Sequence, residues 1–188
     1  MNFWVKDRLK SIEEAFTPEY DQAIDLVVEI LIKCFENKHT LFICGNGGSA
    51  ADAQHIAAEF VGRFLLKRKG LPAIALGVNP AILTAWTNDH EFETVFSRQL
   101  QALGKPGDIL WGISTSGKSK NVISALETAQ NMEILTIGMA GNNGGMINHL
   151  VNYPLFVENK HTPRIQEIHL ITYHYICEQV ESRMFRHG

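Results

Sequence analysis

From residue 40 onward, short apolar segments alternate with longer amphipathic segments along the chain. The short apolar segments predict β-strands at 40–44, 72–76, 108–113, 133–138 and 151–157. The longer segments predict helices at 49–66, 80–87, 91–103, 119–130 and 163–184. This alternation is typical of an α/β fold, in which a parallel sheet carries helices on both faces. Ligands of such sheets bind outside the carboxyl ends of the strands.

Residues 3–37 have a helical pattern without strands. Apolar side chains recur there at helical spacing, at Ile24, Val27, Val28, Leu31 and Phe35. Thr17 followed by Pro18 is typical of a helix cap with proline at the first helical position. We therefore expect a helical hairpin that either covers one face of the sheet or meets another subunit.

The composition narrows the class of protein. The chain has 188 residues, of which 45% are hydrophobic and 20% charged, which fits one domain over residues 1–188. A net charge of −3 gives no basic field for nucleic acid or anionic lipid. No segment resembles a signal peptide or a membrane span. The three cysteines lie in apolar segments, which predicts reduced core residues of a cytoplasmic protein.

The first predicted strand runs into a glycine-rich turn that opens a helix. The turn consists of Asn46, Gly47, Gly48 and Ser49. Backbone N–H groups at a helix N-terminus can bind an anion. The turn is not a dinucleotide fingerprint, because the third residue after Gly47 is Ala50, where that motif has glycine.

The same helix carries His55 and Glu59 four residues apart, on one face. Such a pair is commonly a solvated surface contact. Here its neighbours are small and apolar, which favours a buried or cleft-facing helix. A histidine and a glutamate held there would have perturbed pKa values or would bind a metal.

A second turn, residues 114–119, also follows a strand and opens a helix. It offers four hydroxyls, on Ser114, Thr115, Ser116 and Ser119. One interpretation is an ordinary helix cap, but four hydroxyls exceed what a cap needs, so we favour a phosphate site. It is not a P-loop, because the spacing of that motif is absent. The two turns share one layout, which predicts that they lie along the same edge of the sheet.

Two polar features are ambiguous on their own. Gln166 and His174 lie eight residues apart in the last helix, about 80° apart around its axis. Either could be an ordinary polar residue or part of a site. Asn88 and Asp89 follow an apolar helix, which predicts a turn or a polar pair that faces a sugar.

Taken together, five motifs resemble the phosphoheptose isomerases, a family of sugar-isomerase (SIS) domain enzymes. In order, they are Cys-Gly-Asn-Gly-Gly-Ser, Asp-Ala-Gln-His-Ile-Ala-Ala-Glu, Asn-Asp, Gly-Ile-Ser-Thr-Ser-Gly-Lys-Ser and Arg-Ile-Gln-Glu-Ile-His. The resemblance covers almost the whole chain. It implies a flavodoxin-like, doubly wound sheet of five parallel strands and a homotetramer with active sites between subunits. The implied reaction interconverts sedoheptulose 7-phosphate and D-glycero-D-manno-heptose 7-phosphate, which leads to activated heptoses for lipopolysaccharide or related glycans.

The resemblance also implies roles for individual residues. The phosphate would be held by Ser114, Thr115, Ser116 and Ser119. The sugar would be lined by Asn46, Gly47, Gly48, Ser49, Glu59, Asn88, Asp89 and Gln166. The acid–base pair would be Glu59 and His174. A zinc ion would be bound by His55, Glu59, Gln166 and His174. One departure is Pro163, where some relatives carry an aspartate.

Three alternatives remain open at this point. A related group of SIS proteins is non-catalytic and binds a replication initiator, although such a scaffold has no need of Glu59 and His174. A sugar-phosphate-sensing regulator would need a DNA-binding domain, for which the chain has no room. An isomerase of another sugar phosphate would have the same phosphate turn.

Overall fold

The computed structural model describes residues 2–186. Its five strands form one parallel sheet in the order β2-β1-β3-β4-β5. The strands are β1 (Leu41–Gly45), β2 (Ala73–Ala75), β3 (Ile109–Ser114), β4 (Leu135–Gly141) and β5 (Tyr153–Val157). This flavodoxin-like order confirms the predicted fold. The order reverses between β1 and β3, which is where ligands of doubly wound sheets bind.

Helices cover both faces of this sheet. They are α1 (Phe3–Ala15), α2 (Pro18–Glu36), α3 (Gly48–Val61), α4 (Pro80–Asp89), α5 (Val95–Leu103), α6 (Lys120–Asn131) and α7 (Thr162–Phe185). One apolar core lies between the sheet and α2, α3 and α7, and a second lies between the sheet and α5 and α6. Within residues 2–186, none of the helices combines the length and apolar character that a membrane crossing requires.

The N-terminal hairpin forms as expected, but its two helices differ in burial. The Thr17 hydroxyl accepts the Tyr20 N–H at 3.3 Å, and Pro18 begins α2. The apolar stripe predicted for α2 lies in the core against the sheet. By contrast, α1 has no buried residue, and Phe3 and Trp4 are 88% and 56% exposed. The hairpin therefore covers the sheet with α2 and leaves apolar side chains of α1 exposed.

The predicted helix 49–66 is wrong at its end, because α3 stops at Val61. Gly62 follows, and the chain then turns toward α7. The N–H groups of Phe64, Leu65 and Leu66 donate to the carboxylate of Glu181 at 2.9, 2.6 and 2.7 Å. A distant carboxylate thus binds the N–H groups that a longer helix would have used internally.

The turn predicted at Asn88 and Asp89 is also wrong. Both residues belong to the last turn of α4, which ends where the His90 N–H donates to the Trp86 carbonyl at 2.9 Å. Phe92–Thr94, within the predicted helix 91–103, has 3₁₀ geometry. The 3₁₀ segment Asn142–Leu150 after β4 was not predicted and is interrupted by non-helical residues at 143–145.

Candidate active site

The two predicted ligand turns lie side by side at the carboxyl ends of β1 and β3, which are paired neighbours in the sheet. The side chains of Asn46 and Asn121 join them. Each amide donates to the other's oxygen at 2.8 Å. The prediction that both turns share one edge of the sheet is therefore confirmed.

The glycine-rich turn leaves its backbone open to a ligand. Gly47 has φ +55°, which favours glycine, and beyond its chain neighbours no group of residues 2–186 comes within 4 Å of the position its Cβ would occupy. Gly48 is tightly packed instead, because a Cβ there would overlap the side-chain amide of Gln166. The turn is thus bordered by the side chain of Gln166 from α7.

The serine-rich turn is held by its own hydroxyls. Ser114 donates to the Ser119 hydroxyl at 2.9 Å, and the Lys118 N–H donates to Ser116 Oγ at 3.2 Å. Ser119 precedes α6, but within the described chain its hydroxyl caps no N–H of that helix. The hydroxyls thus surround a helix N-terminus without serving as its cap, an arrangement that suits an anion.

Three ionisable side chains converge where α7 packs against α3, the helix that the glycine-rich turn opens. His55 Nε2 lies 3.0 Å from Glu59 Oε1, and the His174 ring on α7 lies edge-on to the His55 ring with centroids 5.0 Å apart. One potential ligand atom from each residue lies within 4.8 Å of the others. We call His55, Glu59 and His174 the acid–base cluster. The pair that is ambiguous in sequence is thus completed by a residue from a distant helix.

The surroundings of His174 lower its pKa. Burial lowers this pKa, and the neighbouring His55 lowers it further, while Glu59 opposes both. Its Nε2 atom is buried and has no hydrogen-bond partner among residues 2–186. At neutral pH the ring is therefore neutral and has a ring nitrogen available for a proton or a metal.

Two residues that the sequence did not single out border the cluster. The Tyr173 hydroxyl lies 3.0 Å from His55 Nδ1 and 3.4 Å from Asp52 Oδ1. Burial raises the pKa of Tyr173 and also raises that of Asp52. Asp52 precedes His55 by three residues on α3, a spacing that could have placed them together, whereas nothing in the sequence indicates the Tyr173 contact.

The segment that follows α3 forms one wall of the cluster. The Phe64 ring packs against His174 with centroids 5.6 Å apart. Arg68 donates to Glu181 at 2.7 Å and to the backbone carbonyl of Glu59 at 2.8 Å. This buried ion pair therefore fixes both the end of α3 and the aromatic wall.

The remaining predicted residues lie elsewhere in the protomer. Asn88 and Asp89 are exposed and hydrogen-bonded to each other at 2.7 Å. Gln166 lies against Gly48, and it precedes His174 by eight residues, or about 12 Å of helix. Within one protomer, Gln166 thus borders the glycine-rich turn and is separated along α7 from the histidine with which it was predicted to bind zinc.

Comparison with known proteins finds a matching family model and similar proteins that are phosphoheptose isomerases. Residues 5–141 match the family model of the SIS domain. The chain is 66% identical over 185 residues to a phosphoheptose isomerase of Crocosphaera subtropica, covering 98% of this chain and 94% of the relative. It is 60% identical to a phosphoheptose isomerase of Synechocystis, with 98% and 95% covered. The solved structure of the phosphoheptose isomerase from Neisseria gonorrhoeae is 38% identical and superposes with a TM-score of 0.89, covering 95% of both chains.

Proposed function

This chain belongs to the phosphoheptose isomerase family of SIS-domain enzymes, and from that premise we propose that its acid–base cluster carries the reaction. It is an aldose–ketose isomerase. The observation that supports the proposal is the convergence of His55 and Glu59 on α3 with His174 on α7. A scaffold that only binds another protein would have no use for this convergence.

Isomerisation of sedoheptulose 7-phosphate moves one proton between C1 and C2 and exchanges carbonyl for hydroxyl. We assign the carbon proton to Glu59. Its Oε1 atom lies beside His55, which leaves the second carboxylate oxygen to take the proton from C1. The resulting enediol receives that proton at C2 and becomes the aldose. A positioned base of this kind contributes about 10²–10⁴-fold to rate.

We assign the oxygen protons to His174. Its lowered pKa keeps the ring neutral at neutral pH, so the free nitrogen can accept a proton from the C1 hydroxyl and return it to the C2 oxygen. Phe64 packs on one side of the ring and covers that side. The lowered pKa and the unpartnered nitrogen together suit a group that transfers protons in both directions.

The cluster also fits zinc. Two histidine nitrogens and a carboxylate form a donor set that zinc binds in enzymes, and the buried, unpartnered Nε2 of His174 has an open lone pair. With zinc bound, this lone pair would be occupied, and the metal rather than His174 would polarise the sugar's carbonyl and stabilise negative charge on its oxygens. The role of Gln166 as a fourth ligand stays a prediction. Its position at Gly48 supports the substrate-contact role.

We place the phosphate at the serine-rich turn, on Ser114, Thr115, Ser116 and Ser119. The sugar would extend from there past the glycine-rich turn toward the cluster. The mutual hydrogen bonds of Asn46 and Asn121 hold the two turns at a fixed separation, which supports one ligand that contacts both. Asn88 and Asp89 face solvent in the protomer, so a sugar contact by them would require another subunit or a movement of α4.

We further propose that residues 1–188 form a single SIS domain that assembles as a homotetramer. The exposed apolar side chains of α1, including Phe3 and Trp4, support an interface on the N-terminal hairpin. Buried, unpaired cysteines support a reducing compartment, the cytoplasm. The product would supply activated heptose for lipopolysaccharide or a related glycan.

The experiment is turnover of sedoheptulose 7-phosphate by purified protein of known metal content, before and after chelation. Turnover that collapses on chelation and returns with zinc supports the full proposal. Turnover that is unchanged by chelation would support acid–base catalysis by Glu59 and His174 without a metal. Absence of turnover with zinc supplied would contradict the assignment of this substrate.

A further inference from the structure

Tyr173 is a buried residue on α7 that joins two side chains of α3. The residue is 0% exposed, and its hydroxyl lies between His55 Nδ1 at 3.0 Å and Asp52 Oδ1 at 3.4 Å. A phenol hydroxyl carries one proton and can also accept. A carboxylate only accepts. The direction of both hydrogen bonds can therefore be worked out.

If Tyr173 donates to Asp52, its oxygen must accept from His55, so the imidazole proton lies on Nδ1. His55 Nε2 then carries a lone pair. That lone pair faces Glu59 Oε1 at 3.0 Å, and both atoms are acceptors. Two acceptors at this distance repel each other unless a metal ion or a second imidazole proton lies between them. The neighbouring Nε2 of His174 also has no partner among residues 2–186, and each of the three residues offers a potential ligand atom within 4.8 Å of the others.

We propose that Tyr173 and Asp52 act as a positioning relay that holds His55 with its proton on Nδ1 and presents Nε2 to zinc. The proposal rests on the zinc site of the proposed function and adds two residues that lie outside the acid–base cluster. Partners of this kind fix the tautomer and orientation of a metal-binding histidine, and their loss costs about 10–100-fold in metal affinity.

The test is the zinc dissociation constant of the full-length, zinc-free protein, measured by competition with a chromophoric chelator. Tyr173→Phe removes the hydroxyl and keeps the ring, and should weaken zinc binding about 10–100-fold. Tyr20→Phe is a matched control. Tyr20 is also buried, and its hydroxyl lies 3.1 Å from Thr172 Oγ1, next to Tyr173 on α7 but away from His55. This control should bind zinc as the unmodified protein does.

A second variant tests whether the two residues act as one unit. Asp52→Ala alone should also weaken zinc binding, because Tyr173 is then free to donate to His55 instead. In the Tyr173→Phe background the same change should add little, since the relay is already broken. Asp52 is only partly buried, so this arm is available even if Tyr173→Phe folds poorly.

The outcomes distinguish failure of the zinc site from failure of the relay of Tyr173 and Asp52. Failure of the unmodified protein to bind zinc would overturn the metal site, and the relay with it. Zinc binding by the unmodified protein that is unchanged in Tyr173→Phe, or equally weakened in Tyr20→Phe, would overturn only the relay. Fully additive effects of Tyr173→Phe and Asp52→Ala would also overturn it.

Discussion

Replacing Glu181 with glutamine tests how the wall of the active site is held. The Glu181 carboxylate accepts four hydrogen bonds, one from each N–H of residues 64–66 and one from Arg68. Each carboxylate oxygen accepts two of them. A glutamine amide would therefore point its NH₂ group at two donors in either orientation.

The expected cost follows from burial. The side chains of Arg68 and Glu181 are 1% and 2% exposed and lie 2.7 Å apart. Removing one charge from a buried, hydrogen-bonded pair costs about 3–5 kcal/mol, because the other charge is left uncompensated. We expect Glu181→Gln to lower the free energy of unfolding by about this amount.

The chain offers a matched control in Asp25→Asn. Arg183 and Asp25 also lie 2.7 Å apart, but their side chains are 41% and 56% exposed. An exposed pair contributes about 0–1 kcal/mol, so the control should change stability little. Urea denaturation measures the free energy of unfolding of both variants, and repeating it at several protein concentrations separates folding from subunit association. A loss in Glu181→Gln no larger than that in Asp25→Asn would show that the buried pair with Arg68 does not supply this stability.

The pH dependence of this contribution has a defined sign. Burial alone would raise the pKa of Glu181, but its backbone N–H donors and Arg68 together lower it from 4.5. A group with a lowered folded-state pKa stabilises the protein above its unfolded pKa and loses that contribution as pH falls through the folded value. The stability difference between the unmodified protein and Glu181→Gln should therefore be constant near neutral pH and shrink below pH 4.5.

Two further predictions concern single residues. Glu59→Gln should lower turnover about 10²–10⁴-fold and leave the dissociation constant of the sugar phosphate nearly unchanged by calorimetry, and near-normal turnover would rule out Glu59 as the base. Burial lowers the pKa of His169 from 6.5 to about 4, so its protonation opposes folding in acid. Between pH 6.5 and about 4, His169 should therefore lower the free energy of unfolding by about 1.4 kcal/mol per pH unit. Urea denaturation at several pH values should show a smaller slope for His169→Gln. An unchanged slope would contradict the lowered pKa of His169.

The fold was predictable because its signals are local. Alternating apolar and amphipathic segments fix the parallel sheet, and the two polar turns follow strands that pair as neighbours. His55 and Glu59 were also predictable, since four residues on a helix bring side chains together. His174 was ambiguous in sequence and received its role from the family resemblance, because its position in the cluster depends on how α7 packs against α3.

The features that the sequence did not predict depend on contacts between distant segments. The end of α3 is set by Glu181, which is 117 residues from Phe64. Helix propensity at residues 62–66 carries no information about a carboxylate that lies on another helix. The contact of Tyr173 with His55 spans 118 residues and has the same origin. Hydrogen bonds between distant segments thus determine both the end of α3 and the position of Tyr173 beside His55.

We assign the carbon-bound proton of the isomerisation to Glu59, and incorporation of deuterium from the solvent tests this assignment. The Glu59 side chain is 21% exposed, so a proton held on its carboxylate can exchange with water. Conversion of sedoheptulose 7-phosphate in D₂O, followed by NMR, should give the aldose with deuterium at C2. Conversion that leaves only protium at C2 would contradict proton transfer through Glu59.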